Sequence, residues 1–474
     1  MTHASVPAPL ERLPRVALVG AGSSGIAALK GLRDAGLDTT CFETSDRVGG
    51  NWVFGNVNGM SAAYRSLHIN TSRGRMAYAD LPMPADYPDF PHHTHLARYF
   101  GDYVSTFDLA PAIRFRTSVQ SAAPRPGGGW EVTSRDLEHG TTSTEGFDAL
   151  VVANGHHWDA RWPDPAYPGQ ADFPGRQVHA HDFLDNDGLA GQRVMVVGMG
   201  NSAMDIAVES SWVAERTILS SRTPVHVVPK YVFGRPLDTL QQGAVARLPW
   251  RLRQAATEAV LRVAVGRYEA YGLTKPAHGV FQAHPTISDT ILSRLAHGEV
   301  VPRTGIDRFE GSDVVFTDGR RETVDVVIWC TGYRITWPFL DPSVISAPDN
   351  VIDLYERIWP VDVPALAFIG LVQPLGAIMP IAERQGRLVA DWLRGRYALP
   401  PAGEAGARIS ADAAATRRRY VGSKRHTIQV DFDSYLHGLD VEQRAGARRA
   451  TAQGYPIPVP VRRLSGAGAG SGAA

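Results

Sequence analysis

The sequence predicts an α/β fold of two parallel-sheet domains, one inserted into the other. Residues 15–43 and 193–221 each read as strand, glycine turn, helix and strand, and the two stretches resemble each other over about 30 residues. Two further apolar runs, 147–154 (FDALVVAN) and 324–331 (VDVVIWCT), end in small or polar residues, as buried parallel strands do. A chain of 474 residues also suits two or three domains better than one core.

In chain order, residues 15–20 (RVALVG) form an apolar run that stops at a glycine, the pattern of a strand covered on both faces. Residues 24–35 then have helical spacing with Gly36 as a stop, and 39–43 read as the next strand. The second unit opens with RVMVVG at 193–198, continues as a helix over 201–214 and reaches a strand at 217–221. The run 324–331 is expected to return to the first domain and close its sheet. Linkers are expected at 164–188 and 320–325, both rich in turn formers. The boundaries that follow are 1–185 and 324–464 for the two parts of the first domain, and 186–323 for the inserted one. An insertion at about 234–276 contains a helical pattern over 249–271, expected to cover a cleft or a dimer surface. The tail 465–474 is Gly, Ala and Ser only and is expected to be disordered.

Composition excludes several classes. Hydrophobic residues make up 44% and charged residues 20%, as in ordinary globular proteins. Lys+Arg and Asp+Glu both count 48, which favours neither nucleic acid nor an anionic membrane as partner. The two cysteines, Cys41 and Cys330, lie in apolar runs and cannot staple the chain, so a cytoplasmic location is the simpler reading. The N-terminal segment lacks a signal-peptide pattern, and no run of about 18 apolar residues suggests a membrane span.

Gly20, Gly22 and Gly25 form G-x-G-x-x-G between strand and helix, with Ala21, Ser23 and Ser24 between them. The first glycine permits a tight turn, the second lets the backbone approach a pyrophosphate, and the third lets helix and strand pack closely. Glu43 ends the second strand, where a carboxylate can hold ribose hydroxyls. A tight turn alone would explain the glycines, but not strand, helix and acid together. In the second unit Gly198, Gly200 and Ala203 form G-x-G-x-x-A, with Asn201, Ser202 and Asp205 at the helix start. Its second strand ends in Ser221 and Arg222, where a guanidinium and a hydroxyl suit a 2′-phosphate and an acid would repel it. The sequence thus predicts two dinucleotide-binding (Rossmann-type) domains, the second preferring NADPH to NADH; a solvated surface arginine is the bland alternative. Gly49 and Gly50 precede Asn51 and Trp52, which are expected to run along the first dinucleotide.

These motifs resemble those of the flavin-containing monooxygenases, class B flavoproteins, over about 15–392. The family pattern F-x-G-x-x-x-H-x-x-x-[YF] is present as Phe173, Gly175, His179 and Phe183, whereas related Baeyer–Villiger enzymes carry Trp at the position of Phe183. GMGNSAMDIAVE (198–209), HPTIS (284–288), CTGY (330–333) and GLVQPLGAIMP (370–380) are similar too. The resemblance implies a soluble bacterial member in which an NADPH domain is inserted into an FAD domain. It implies NADPH reduction of the flavin, addition of O₂ at flavin C4a, and attack of a small nitrogen or sulfur nucleophile on the hydroperoxide. Asn70, within SLHINTS, matches the asparagine that the family places beside C4a; a neutral amide can donate to the peroxide without protonating it. Read alone, Asn70 is a turn residue. Ser66, His68, Thr71, Val119 and Gln373 are further candidates for cofactor contact, with helix capping an alternative for Gln373.

His179 is expected to order the link between domains rather than act as a base, and Cys330 to be a core residue. His92, His93 and His95 lack a metal-ligand pattern, so no metal is expected. Baeyer–Villiger or other carbon oxygenation is the alternative reaction. A disulfide reductase needs a C-x-x-C pair that this chain lacks. The resemblance to membrane-bound animal members does not extend to their hydrophobic anchor, so membrane attachment is not expected. A homodimer is compatible with these readings.

Overall fold

The computed structural model describes residues 12–241, 249–422 and 427–460. The first unit forms as its apolar pattern requires: β1 (Arg15–Val19), α1 (Ser23–Asp34) and β2 (Asp38–Phe42). Val16, Ala17 and Leu18 of β1 are fully buried because β1 is the middle of a five-stranded parallel sheet, ordered Leu366–Phe368, Ala149–Val152, β1, β2 and Ile113–Arg114. The second unit repeats the plan with β3 (Arg193–Val197), α2 (Asn201–Ser211) and β4 (Arg216–Ser220). Its parallel sheet runs Val300–Arg303, β4, β3, Val326–Trp329 and Arg176–His179.

The run 324–331 does not close the first sheet. Val326–Trp329 pairs with β3 on one side and Arg176–His179 on the other, so it belongs to the second domain. The first sheet is completed by Leu366–Phe368, a three-residue strand too short to stand out by composition. The glycine turns show why each domain keeps its own strand. A Cβ on Gly20 would lie 2.7 Å from the Ala153 carbonyl oxygen, and one on Gly198 would lie 2.7 Å from that of Cys330. Both turns have left-handed backbones, φ 99° and 134°, so glycine is required there on conformational grounds as well. FDALVVAN and VDVVIWCT are therefore equivalent strands of two repeated sheets.

The linkers also differ from expectation. Residues 164–188 include the edge strand Arg176–His179, and 320–325 include Arg321–Thr323 of a three-stranded meander; both belong to the second domain. The chain crosses instead at Asp159–Ala160 and Tyr333–Arg334, and the two passes pair antiparallel. Two-residue strands leave no periodic trace in a sequence.

The insertion forms α3 (Trp250–Ala264), whose buried residues Arg253, Thr257 and Leu261 recur every fourth position on one face. Arg253 pairs with Asp431 at 3.0 Å, tying the insertion to the helix Phe432–Ala452 that Asp431 caps. Among the described residues no helix is long and apolar enough to cross a membrane, and no group of three metal-ligating side chains occurs. The tail 465–474 lies outside the described residues.

Candidate active site

A cleft of about 450 Å³ opens at the carboxyl end of β1, the crevice where open parallel sheets bind ligands. Gly20, Gly22, Ser23, Ser24, Glu43, Asn51, Trp52, Val119 and Gln373 line it. Ala21 and Gly25 are buried beneath, and a Cβ on Gly25 would sit 1.9 Å from the Gly20 carbonyl oxygen. Gly22 occupies the N-cap of α1 with no side-chain cap, so the first N–H groups of the helix are left for an anion. Glu43 is buried and accepts from the Ala21 and Ser45 N–H groups, both at 2.7 Å. Burial pushes its carboxyl pKa up, against the pull of those backbone donors. Asn51 Oδ1 accepts from Ala62 N at 2.8 Å.

Sequence reasoning missed Asn154, His156 and Trp158, which line the same cleft. A signal existed: they follow the strand Ala149–Val152, and ligands meet parallel sheets at strand carboxyl ends. Pro338 and Phe339, which also line the cleft, follow no recognisable pattern.

In the second domain Gly200 is the N-cap of α2, again without a side-chain cap. Asn201 Oδ1 accepts from Ile287 N at 2.8 Å, and the Thr286 hydroxyl donates to the Met199 carbonyl. The HPTIS segment is thereby packed on the glycine turn. Ala203 is fully buried at the place equivalent to Gly25. Asp205, expected at the nucleotide, is half-buried with its carboxylate accepting from the Tyr64 hydroxyl, which joins α2 to the segment leading to Asn70. Burial raises the Asp205 carboxyl to about 6. Ser221 and Arg222 follow β4 directly, and the exposed Arg222 lies over Gly305, where a Cβ would be 2.8 Å from Arg222 Cγ.

Asn70 and Thr71 line a second cavity of about 100 Å³, together with Phe90, Trp250, Phe281 and Phe432. Gly376 borders both this cavity and the first cleft. The backbone on either side of Asn70 is held: Ile69 N donates to Pro91 O at 3.0 Å and Ser72 N to Asp238 Oδ2 at 2.7 Å. Asp238 comes from the insertion, as do Trp250 and Arg253, so the insertion covers this cavity. The Asn70 side-chain amide has no hydrogen bond to a described residue, leaving its donors and its acceptor for a ligand. His68 is not brought to the site: its ring is exposed, against Ser66 O at 2.7 Å and beside His92. Ile69, between His68 and Asn70, is buried, so His68 lies on the solvent side of the segment.

The fingerprint residues lie on and beside the edge strand Arg176–His179. Gly175 lets its strand approach the Asp325 carbonyl, where a Cβ would be 2.3 Å away, and Phe183 packs on Tyr64. His179 is fully buried on the edge strand, and burial lowers its pKa to about 4, so it is neutral at pH 7. Burial likewise raises the Cys330 thiol far above its ordinary value, which excludes a ready thiolate.

Comparison with known proteins decides the family. The flavin-binding monooxygenase-like family model matches residues 13–448. The chain belongs to this family. It is 37% identical to human flavin-containing monooxygenase 5 over 439 residues, covering 90% of this chain and 82% of that one. It is 34% identical to rat dimethylaniline monooxygenase [N-oxide-forming] 2 over 449 residues, 90% and 82% of the two chains. In fold it resembles S-allyl-L-cysteine S-oxygenase from Allium sativum (TM-score 0.69, 24% identity, 93% and 92% covered). It also resembles open cyclohexanone monooxygenase (TM-score 0.67, 20% identity, 95% and 99% covered). This flavin-binding monooxygenase is an enzyme that uses FAD, NADPH and O₂ on a small-molecule substrate.

Proposed function

We propose that the enzyme oxygenates nitrogen or sulfur in a small nucleophile, at the junction of the first cleft with the cavity beside Asn70. FAD fits the first cleft: Gly22 leaves room at an uncapped helix N-terminus, and buried Glu43 faces the ribose end. NADPH fits the Gly198–Gly200 turn, with Ser221 and Arg222 at its 2′-phosphate. The bound flavin, reduced by NADPH, supplies the activation of O₂. The protein holds the reacting groups, excludes water with the aromatic wall, and presents the free Asn70 amide as a fixed donor. That free amide, in the cavity that meets the first cleft at Gly376, is the observation that carries the reading. Phe183, where Baeyer–Villiger relatives have Trp, and the N-oxide-forming relative both favour a heteroatom.

The test offers a tertiary amine, a thioether and a cyclic ketone in turn. An N-oxide or sulfoxide formed in step with NADPH oxidation is expected. Lactone from the ketone, with amine and thioether untouched, would replace this reading with Baeyer–Villiger oxygenation.

Arg222→Ala is expected to lower kcat/KM for NADPH by roughly 10–100-fold, the worth of a lost charged hydrogen bond of about 1.5–3 kcal/mol. NADH use should change little. Equal losses with both cofactors would show that Arg222 does not read the phosphate.

A further inference from the structure

Tyr64 follows the first glycine unit in sequence but packs inside the second domain. It is buried in the core formed by Val194, Val196, Ala203 and Ile206 of β3 and α2, with its ring beside Phe183. Five residues later, Ile69 is buried in the core of the first domain. Residues 64–69 therefore bridge the two cores, and Asn70 is the next residue. The bridge is fastened to the second domain at its start. His181 Nε2 lies 2.9 Å from Gly59 O, Arg65 N donates to Leu184 O at 2.7 Å, and the Arg65 guanidinium meets Asp185 at 2.5 Å. The Tyr64 hydroxyl donates to the Asp205 carboxylate on α2.

Asp205 stands one helical turn beyond Asn201, the first residue of α2, about 6 Å along its axis. The N-terminus of α2 has no side-chain cap, so its first N–H groups gain partners only when an anion binds there. A dinucleotide phosphate at that end orders the first turns of α2, Asp205 among them. Lys230 and Glu209 act on the Asp205 carboxylate only through space, with opposite signs. Among the described residues Tyr64 is its hydrogen-bond donor. Asn70 is tied to the flavin domain through Ile69 N and Pro91 O, and to the insertion through Ser72 N and Asp238. Tyr64 supplies the tie to the helix that binds the dinucleotide.

We infer that Tyr64 is a positioning residue: its bond to Asp205 joins α2 to the segment that presents Asn70, so that α2, once ordered by NADP⁺, holds the Asn70 amide in place for oxygenation. Asn70 is the fixed donor of the proposed function, and the role of Tyr64 rests on that reading. The hydroxyl is the part of Tyr64 that matters here. The ring would fill the second core equally well as phenylalanine, so packing alone does not call for the oxygen.

The experiment measures backbone hydrogen exchange of residues 65–76 in the oxidised holoenzyme, with and without NADP⁺, beside the H₂O₂ released per NADPH oxidised. In the wild type NADP⁺ is expected to slow exchange in this stretch by roughly tenfold, as one hydrogen bond to a charged group implies. Tyr64→Phe loses the hydroxyl and Asp205→Ala loses its acceptor. Either should abolish the slowing and raise H₂O₂ release, and the double variant should be no worse than either alone, since both remove one bond. Tyr64→Phe should keep its FAD and its rate of flavin reduction by NADPH. Asp185→Asn, which breaks only the exposed ion pair to Arg65, should leave the slowing intact. A Tyr64→Phe enzyme that keeps both the NADP⁺ effect and the wild-type H₂O₂ yield would make Tyr64 a core residue only and overturn the inference. Flavin reduction slowed as much as oxygenation would overturn it too, by placing the bond in the docking of NADPH. An Asn70→Ala enzyme that still oxygenates without H₂O₂ would instead remove the reading of Asn70 on which the role of Tyr64 rests, whatever Tyr64→Phe shows.

Discussion

Gly22→Val is expected to yield a folded protein that binds FAD much more weakly than the wild type. Gly22 has an ordinary extended backbone, φ −70° and ψ −174°, so no strain forces glycine there. A Cβ at this position would rest 3.7 Å from Gly50 Cα, a normal contact, so the polypeptide itself tolerates the substitution. The rest of the valine must then project into the first cleft, where the uncapped end of α1 faces its ligand. Overpacking of about 1–3 kcal/mol, felt only when the cofactor is bound, weakens FAD by roughly 10–100-fold. Gly25→Ala should fail in another way. Its Cβ would lie 1.9 Å from a backbone oxygen, so helix and strand must separate whether or not FAD is present, and the melting temperature should fall by several degrees. Flavin content and thermal melting together separate the two effects. A Gly22→Val protein binding FAD as tightly as the wild type would remove this cleft as the flavin site.

Legibility follows the range over which each feature is encoded. The glycine turns and Glu43 are readable because a βαβ unit brings strand, turn, helix and acid together within one short stretch. The partner of a strand is not local information: 324–331 and 147–154 look alike, and only the register of Val326–Trp329 against β3 assigns it to the second sheet. The cavity beside Asn70 was the least legible part. Its wall is drawn from Thr71 and Arg75, the hairpin with Lys230 and Asp238, α3, and Arg419 with Asp431, which lie far apart in the chain. Family resemblance pointed to Asn70 but not to the charges around it. It also suggested His68, whose exposed ring packs beside His92 instead.

Asn70→Ala is expected to leave FAD bound and its reduction by NADPH intact, while substrate oxygenation falls by about 10²–10³-fold, the usual cost of one preorganised donor. O₂ should still be consumed, now with release of H₂O₂ in proportion to NADPH oxidised. The structure supplies the reason for separating these steps. Asn70 lines the second cavity and not the first cleft, so its removal should spare the glycine turn, Glu43 and the other residues proposed to hold FAD. Its backbone is anchored on both sides, through Ile69 to Pro91 and through Ser72 to Asp238, so the truncation removes an amide without freeing the loop. Because that amide makes no bond to the described protein, its loss orphans no other protein group, and stability should be nearly unchanged. Asn70→Asp provides the companion measurement: it keeps size and acceptor oxygens but loses the N–H donor, so it should release peroxide as the alanine variant does. If both variants oxygenate at the wild-type rate without H₂O₂, Asn70 is only a turn residue. The required donor would then lie on the first cleft, where Gln373 presents the next amide.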